Sequence, residues 1–164
     1  MGRSETADDA AAVGSGRGDA EFTAFYRREL LGQVRRAALL VGSEAVANDL
    51  VHDAFVALYE RWTGIDEPGP YLNRAVLNRC RDLGRRRTRR DGALERLGPE
   101  APAPEHDVLW DVLDTLPFNQ RAAVILRFYA QMTEREIADA LGCATGSVGP
   151  WITRALAAMR EELS

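Results

Sequence analysis

Apolar residues recur along most of this chain at helical spacing, and one stretch organises the rest. From Pro70 to Arg90, Leu72, Val76, Cys80 and Leu83 fall at i, i+4, i+8 and i+11, a stripe that predicts one buried helix face. Arg74, Asn78, Arg81 and Arg85 follow at i, i+4, i+7 and i+11 on the opposite face. Upstream, Phe22, Phe25, Tyr26, Leu30, Val34 and Ala37 or Ala38 mark a helix that Asp19 caps and that runs through Glu21 to about Leu40. Gly42 and Ser43 close it, with Ser43 as N-cap of the next helix. That helix, Glu44 to about Trp62, buries Val46, Leu50, Val51, Ala54, Phe55, Leu58 and Trp62 and turns Asn48, Asp49, His52, Asp53 and Glu60 outward. Thr63 to Pro70 reads as a loop by its Gly and Pro content. Three helices with one apolar face each predict a small bundle.

The pattern then breaks. Residues 91–107, with Pro99, Pro102 and Pro104, read as a linker that reaches roughly 50 Å if extended at about 3.1 Å per residue. Helical spacing resumes with Val108, Leu109, Val112, Leu113 and Leu116, stops at Pro117, and resumes from Gln120 to Gln131 with Ala123, Val124, Leu126, Phe128 and Tyr129. Thr133 and Glu136 form a capping box before a short helix, Glu134–Leu141, with Ile137, Ala138 and Leu141 inward. Gly142, Cys143 and Ala144 make a tight turn, and a second helix runs to about Glu162 with Val148, Ile152, Ala155, Leu156 and Met159 inward. Helix, three-residue turn containing Gly, helix is a helix-turn-helix, whose second helix lies in a DNA major groove. The plain alternative is a helical hairpin without a ligand. Residues 1–18, mostly Gly, Ala, Ser and Asp, are expected to be a disordered tail.

Composition sharpens this reading. The chain has 164 residues and a formal net charge of −4, which argues against a protein that coats DNA generally. Lysine is absent, and charge comes in blocks: acid over 44–67, base over 74–90, acid again over 91–107. Such segregation suggests separate surfaces for separate partners. Arg guanidinium groups fit phosphate oxygens in pairs, and the Asn73 and Asn78 amides can pair with a base edge, so the basic helix reads as a nucleic-acid surface. Cys80 and Cys143 fit neither a disulfide framework nor a metal site, and no cofactor is expected. His52 beside Asp49 and Asp53 lacks a third ligand or a nucleophile nearby in the sequence. No nucleophile–base pair or phosphate loop supports an enzyme. No apolar run is long enough to span a membrane, and the first residues lack a signal-peptide core, so the cytoplasm is the expected location.

Taken in order, these segments resemble an extracytoplasmic-function (group 4) sigma factor, the promoter-recognition subunit of bacterial RNA polymerase. The likeness rests on NDLVHDAFVALYERW and EPGPYLNRAVLNRCRDLGRRR in the first half and on LPFNQRAAVILRFYAQMTEREIADALGCATGSVGPWITRALAAMR in the second. The wording of both halves is most similar to the short actinobacterial SigE-like branch. The resemblance implies an all-α protein of two small domains: a three-to-four-helix sigma region 2 over 19–90 and a helix-turn-helix sigma region 4 over 108–164, joined by a flexible linker. It implies binding to core RNA polymerase through the β′ coiled coil and β flap, recognition and melting of promoter DNA, and an anti-sigma protein as a further partner, without membrane insertion.

Carried over residue by residue, the likeness places Asp49, His52, Asp53 and Tyr59 on the face that docks polymerase, His52 standing where the family usually has Gln. Around the −10 element it places Trp62, Tyr71, Asn73, Arg74, Asn78, Arg81, Arg85 and Arg86, with the Thr63–Pro70 loop as a pocket for a flipped base. At the −35 element it places Arg135, Thr145, Ser147, Trp151, Thr153 and Arg154. One segment departs from the family pattern. Where the recognition helix usually has two basic residues, this chain has Gly149 and Trp151, with Pro150 between them. A proline past the first turn removes a backbone bond, so a kinked or later-starting helix and a weak or altered −35 contact are expected. A free-standing helix-turn-helix regulator is the alternative.

Overall fold

The computed structural model describes residues 18–94 and 108–164, with 91–94 as backbone alone. The expected tail lies outside the described residues except for Gly18, and so does the expected linker beyond residue 94. Every regular element among the described residues is helical.

Helix α1 (Asp19–Val41) is capped by Gly18, not by Asp19, which is its first helical residue. Its far end turns at Gly42, whose φ of 78° is the left-handed conformation that glycine adopts without Cβ strain. Helix α2 (Glu44–Glu60) starts at Ser43, whose Oγ accepts a hydrogen bond from the Val46 N–H at 3.2 Å, as its sequence predicts. A single 3₁₀ turn, Trp62–Gly64, then leads to helix α3 (Pro68–Leu94). The expected loop is therefore shorter than Thr63–Pro70. Pro68 opens α3, a place where the missing N–H costs nothing. At its other end α3 runs four residues into the stretch expected to be linker.

The second half begins with α4 (Val108–Asp114) and α5 (Phe118–Val124). It continues through a π-helical turn, Ile125–Tyr129, closed by the Ala130 N–H on the Ile125 carbonyl at 3.1 Å. The wider turn shifts the helical phase. Phe128 and Tyr129, apolar members of the expected stripe, consequently stand out in solvent at 59% and 48% exposure. Helix α6 (Glu134–Leu141) has the predicted start: Thr133 Oγ1 accepts from the Glu136 N–H at 3.1 Å. Gly142, at φ 70°, makes the turn into α7 (Thr145–Leu163). Helix α7 starts at Thr145 and continues through Pro150, so it does not start later.

In the first half α1, α2 and α3 pack on one another, and in the second α5 and α6 pack on α7. The two halves also meet. Helix α3 lies against α6, and α1 lies against α4, α5 and the π turn. The buried core is one cluster running from Phe25, Phe55, Leu58 and Leu72 to Ile137, Val148 and Ala155.

Candidate nucleic-acid interface

Three of the four residues of the predicted α3 stripe, Leu72, Val76 and Cys80, lie within 2% of complete burial, and the last, Leu83, is half-buried. Burial raises the Cys80 thiol pKa to about 12, against smaller opposing effects from Arg121 and Arg87. With this stripe inward, Arg74, Asn78 and Arg85 are exposed and Arg81 is half-buried. Arg86 is exposed beside them, whereas Arg87 turns back and donates to the Val41 carbonyl at 2.6 Å.

The structure gives these basic residues unequal surroundings. The Arg74 guanidinium is 3.5 Å from the Asp139 carboxylate on α6. Arg81 donates to the Asn119 side-chain oxygen and to the Leu141 carbonyl, each at 3.3 Å, and to Asn78 Oδ1 at 3.4 Å. Its guanidinium carbon also lies 5.3 Å from the centroid of the Phe118 ring. Asn73 is half-buried, and its Oδ1 accepts from Gln33 Nε2 at 2.7 Å. Gln33, at 3% exposure, is a buried polar residue that the helical pattern of α1 does not reveal.

The two aromatic candidates near the expected base pocket differ. Trp62 is 4% exposed, with its ring 5.2 Å from Phe22 and 5.4 Å from Phe25. Its indole N–H donates to the Gly18 carbonyl at 3.2 Å. Trp62 is thus a core residue that fixes the start of α1, and neither ring face is open to a base. Tyr71, at the first turn of α3, is half-buried.

On α2, Asp49, His52 and Asp53 are exposed on one face. Tyr59, 50% exposed, donates its hydroxyl to Asp19 Oδ1 at 3.0 Å. That hydrogen bond, with the Asp19 charge as the next cause, raises the phenol's pKa. Between them is an apolar depression of about 270 Å³ lined by Phe22, Tyr26, His52, Phe55, Val56 and Tyr59. Phe22, Tyr26 and Val56 were not among the expected contacts. A sequence signal was there for Val56: it continues the 49, 52, 53 series at helical spacing, placing an apolar residue on an acidic face, and it is 45% exposed.

Around the helix-turn-helix, Arg135 is exposed on α6, and Thr145, Thr153 and Arg154 are exposed on α7, with Ser147 half-buried. Thr153 Oγ1 donates to the Gly149 carbonyl at 3.1 Å. Trp151 is half-buried against the core. A Cβ placed on Gly149 would meet the Glu134 carboxylate at 3.6 Å, so an acidic group lies beside the point where the family pattern has a basic one.

Comparison with known proteins agrees with this layout. Residues 25–90 match the model of sigma-70 region 2, and residues 106–159 match that of sigma-70 region 4. The chain is 35% identical over 153 residues to the RNA polymerase sigma-E factor of Streptomyces coelicolor, covering 87% of this chain and 86% of that one. It is 33% identical over 146 residues to the ECF RNA polymerase sigma factor SigE of Mycolicibacterium smegmatis, covering 79% and 56%. Among solved structures, CnrH bound to the cytosolic domain of CnrY superposes with a TM-score of 0.69 at 25% identity, covering 94% of this chain and 93% of that one. The sigma factor RpoE of Bartonella quintana, bound to the anti-sigma factor NepR, superposes with a TM-score of 0.71 at 21% identity, covering 87% and 96%, a likeness of fold.

Proposed function

This chain belongs to the sigma-70 family of RNA polymerase sigma factors, and from that premise we propose how its surfaces divide the work of starting transcription. Residues 19–90 act as region 2 and residues 108–164 as region 4. The chain works in the cytoplasm and adds promoter specificity to core polymerase without chemistry of its own. The observation that carries this division is the opposition of two faces on one small bundle. Asp49, His52 and Asp53 share one exposed face of α2, where His52 lines an apolar depression, and Arg74, Asn78, Arg81 and Arg85 line α3.

The α2 face docks core polymerase at its β′ coiled coil. The depression takes an apolar side chain, and the carboxylates select a basic rim around it. Tyr59, held by Asp19, forms the edge of that seat. An anti-sigma protein, the kind of partner that NepR is for the Bartonella factor, would compete for the same face. The α3 face takes the opened −10 strand, where arginines hold phosphates and Asn73 and Asn78 address bases. Unstacking a base costs a few kcal/mol, so a preformed pocket must offset it. Tyr71 supplies the aromatic edge there, because Trp62 is occupied in the core.

Region 4 contributes the β-flap contact and a weakened −35 contact. Gly149 carries no side chain, Trp151 leans on the core, and the Glu134 carboxylate sits beside Gly149. Arg135, Arg154, Thr145, Ser147 and Thr153 remain to touch the duplex.

Transcription in vitro with purified core polymerase on a library of promoter fragments tests this reading. Initiation that depends on the chain supports it and returns the promoter motif. Absence of initiation together with tight duplex binding by the chain alone would replace it with a free-standing regulator. Band-shifts of the holoenzyme on single-base variants test region 4. We expect −35 substitutions to cost less than −10 substitutions, and equal costs would refute the weakened contact.

A further inference from the structure

We propose that Glu134 reads a cytosine in the major groove, through the gap that Gly149 leaves on the second helix of the helix-turn-helix. The inference rests on the −35 reading of α6 and α7 given above and names the base that this surface selects.

In a helix-turn-helix the N-terminal part of the second helix meets base edges, while the first helix crosses the backbone. Gly149 lies in that part of α7. A Cβ built on it would meet Glu134 Oε1 at 3.6 Å and Oε2 at 3.9 Å, so a carboxylate from the start of α6 stands beside bare backbone of α7. Glu134 is exposed, and no hydrogen bond or ion pair holds its carboxylate among the described residues. The neighbours of Gly149 offer few donors. Pro150 is exposed and has neither a polar side-chain atom nor an N–H. Thr153 commits its hydroxyl hydrogen to the Gly149 carbonyl at 3.1 Å. Trp151 packs against the core. The polar group left at this place is an acceptor.

An acceptor needs a donor, and only two base edges in the major groove present one, the N4 amine of cytosine and the N6 amine of adenine. Adenine sets an acceptor, N7, beside its amine. An ionised carboxylate has no hydrogen to give N7, so one of its oxygens would face a lone pair there. Cytosine carries only a C–H beside its amine. Guanine and thymine turn acceptor oxygens toward the carboxylate and are rejected. Arg135 and Arg154, exposed on α6 and α7, supply the positive charge that phosphates require of a surface holding an acid. The contact is weak as a whole and selective at one base pair.

Band-shifts of the holoenzyme test this on duplexes that share one −10 sequence and carry each of the four bases at each −35 position in turn. Preferences are read as ratios between duplexes for one protein, so a partly unfolded variant does not distort them. We expect one position where cytosine binds about fivefold better than any other base, the lower end of what a side-chain pairing with a base supplies. Glu134→Ala should bring that ratio to about one. Glu134→Gln should raise adenine relative to cytosine there, because an amide donates to N7 while its oxygen accepts from N6. Gly149→Arg should abolish the cytosine preference by placing a guanidinium over the carboxylate. Glu136→Gln, which removes a charge from the same turn of α6, should leave the preference unchanged.

Absence of a cytosine preference at every −35 position would overturn the proposal. So would a preference that survives Glu134→Ala or Gly149→Arg, or an equal loss in Glu136→Gln, which would make it an effect of charge alone. An adenine-to-cytosine ratio unmoved by Glu134→Gln would do the same. If binding is indifferent to every −35 substitution, the −35 reading of this half fails and the cytosine contact fails with it. If −35 substitutions matter while any of the other overturning results holds, the −35 reading stands and the contact alone is lost.

Discussion

The two working faces of the first half sit on neighbouring helices and are held in different states. On α2 the carboxylates of Asp49 and Asp53 are exposed, and the apolar depression beside them is open. On α3, Arg81 is occupied by groups of the second half and Arg74 faces a carboxylate there. The contrast teaches that burial of the correct stripe does not determine whether the opposite stripe is available. Both helices bury the face that their apolar spacing predicts, and a third element then decides which polar face is free. Under the proposed roles, the chain can meet polymerase while part of its strand-binding surface is still covered.

The largest effect should come from the open face. Asp49→Arg with Asp53→Arg should abolish polymerase-dependent initiation while leaving unfolding free energy within about 0.5 kcal/mol of the starting value, because both side chains are exposed. A matching loss of stability would mean the face is structural. Phe55 lies beneath that surface at 2% exposure. Phe55→Ala should cost about 3–5 kcal/mol in urea unfolding, since it leaves a core cavity. A cost under about 1 kcal/mol would show that the depression does not rest on a packed core.

Beneath α3, Cys80 gives a pH signature. Its folded thiol has a pKa raised from 9.0 to about 12, so the folded state holds a proton that the unfolded chain releases. Stability is therefore intact below about pH 9 and falls as pH rises from there toward 12, by at most about 1.4 kcal/mol per pH unit from this group. Cys80→Ala should flatten that decline, and an unchanged alkaline slope would assign it elsewhere. The smallest effect compares the covered and free arginines directly. Arg81→Ala should lower stability by about 1 kcal/mol through lost hydrogen bonds, and Arg85→Ala by less than about 0.5 kcal/mol. Equal values would erase the distinction between the two ends of the basic face.

Much of this was legible in the sequence because it is local. The Ser43 cap, the Thr133 cap, the turn at Gly142 and the α3 stripe each depend on residues within a turn or two of one another. Local chemistry also placed Asp49, His52 and Asp53 on one exposed face. The differences arise where a distant partner decides. Asp19 reads as a cap, yet it accepts from Tyr59, forty residues away. Trp62 reads equally as core or as a base-stacking ring, and only the rings of Phe22 and Phe25 settle it. Phe128 and Tyr129 continue an apolar stripe on paper, but the π turn changes the phase under them. Arg121 looks like one more surface arginine, and nothing near it in the sequence announces the Leu40 carbonyl or the Trp110 ring.

The bond between Gln33 and Asn73 limits what the start of α3 can say to a base. A free asparagine amide offers both a donor and an acceptor. The Asn73 oxygen accepts from Gln33, which holds the amide in one orientation and commits one of its two lone pairs. In the proposed strand-binding role, the amino group keeps both of its donors for a ring nitrogen or a carbonyl oxygen, and a single lone pair remains for an exocyclic amine. A residue on the buried side of α1 thereby sets which way this amide faces.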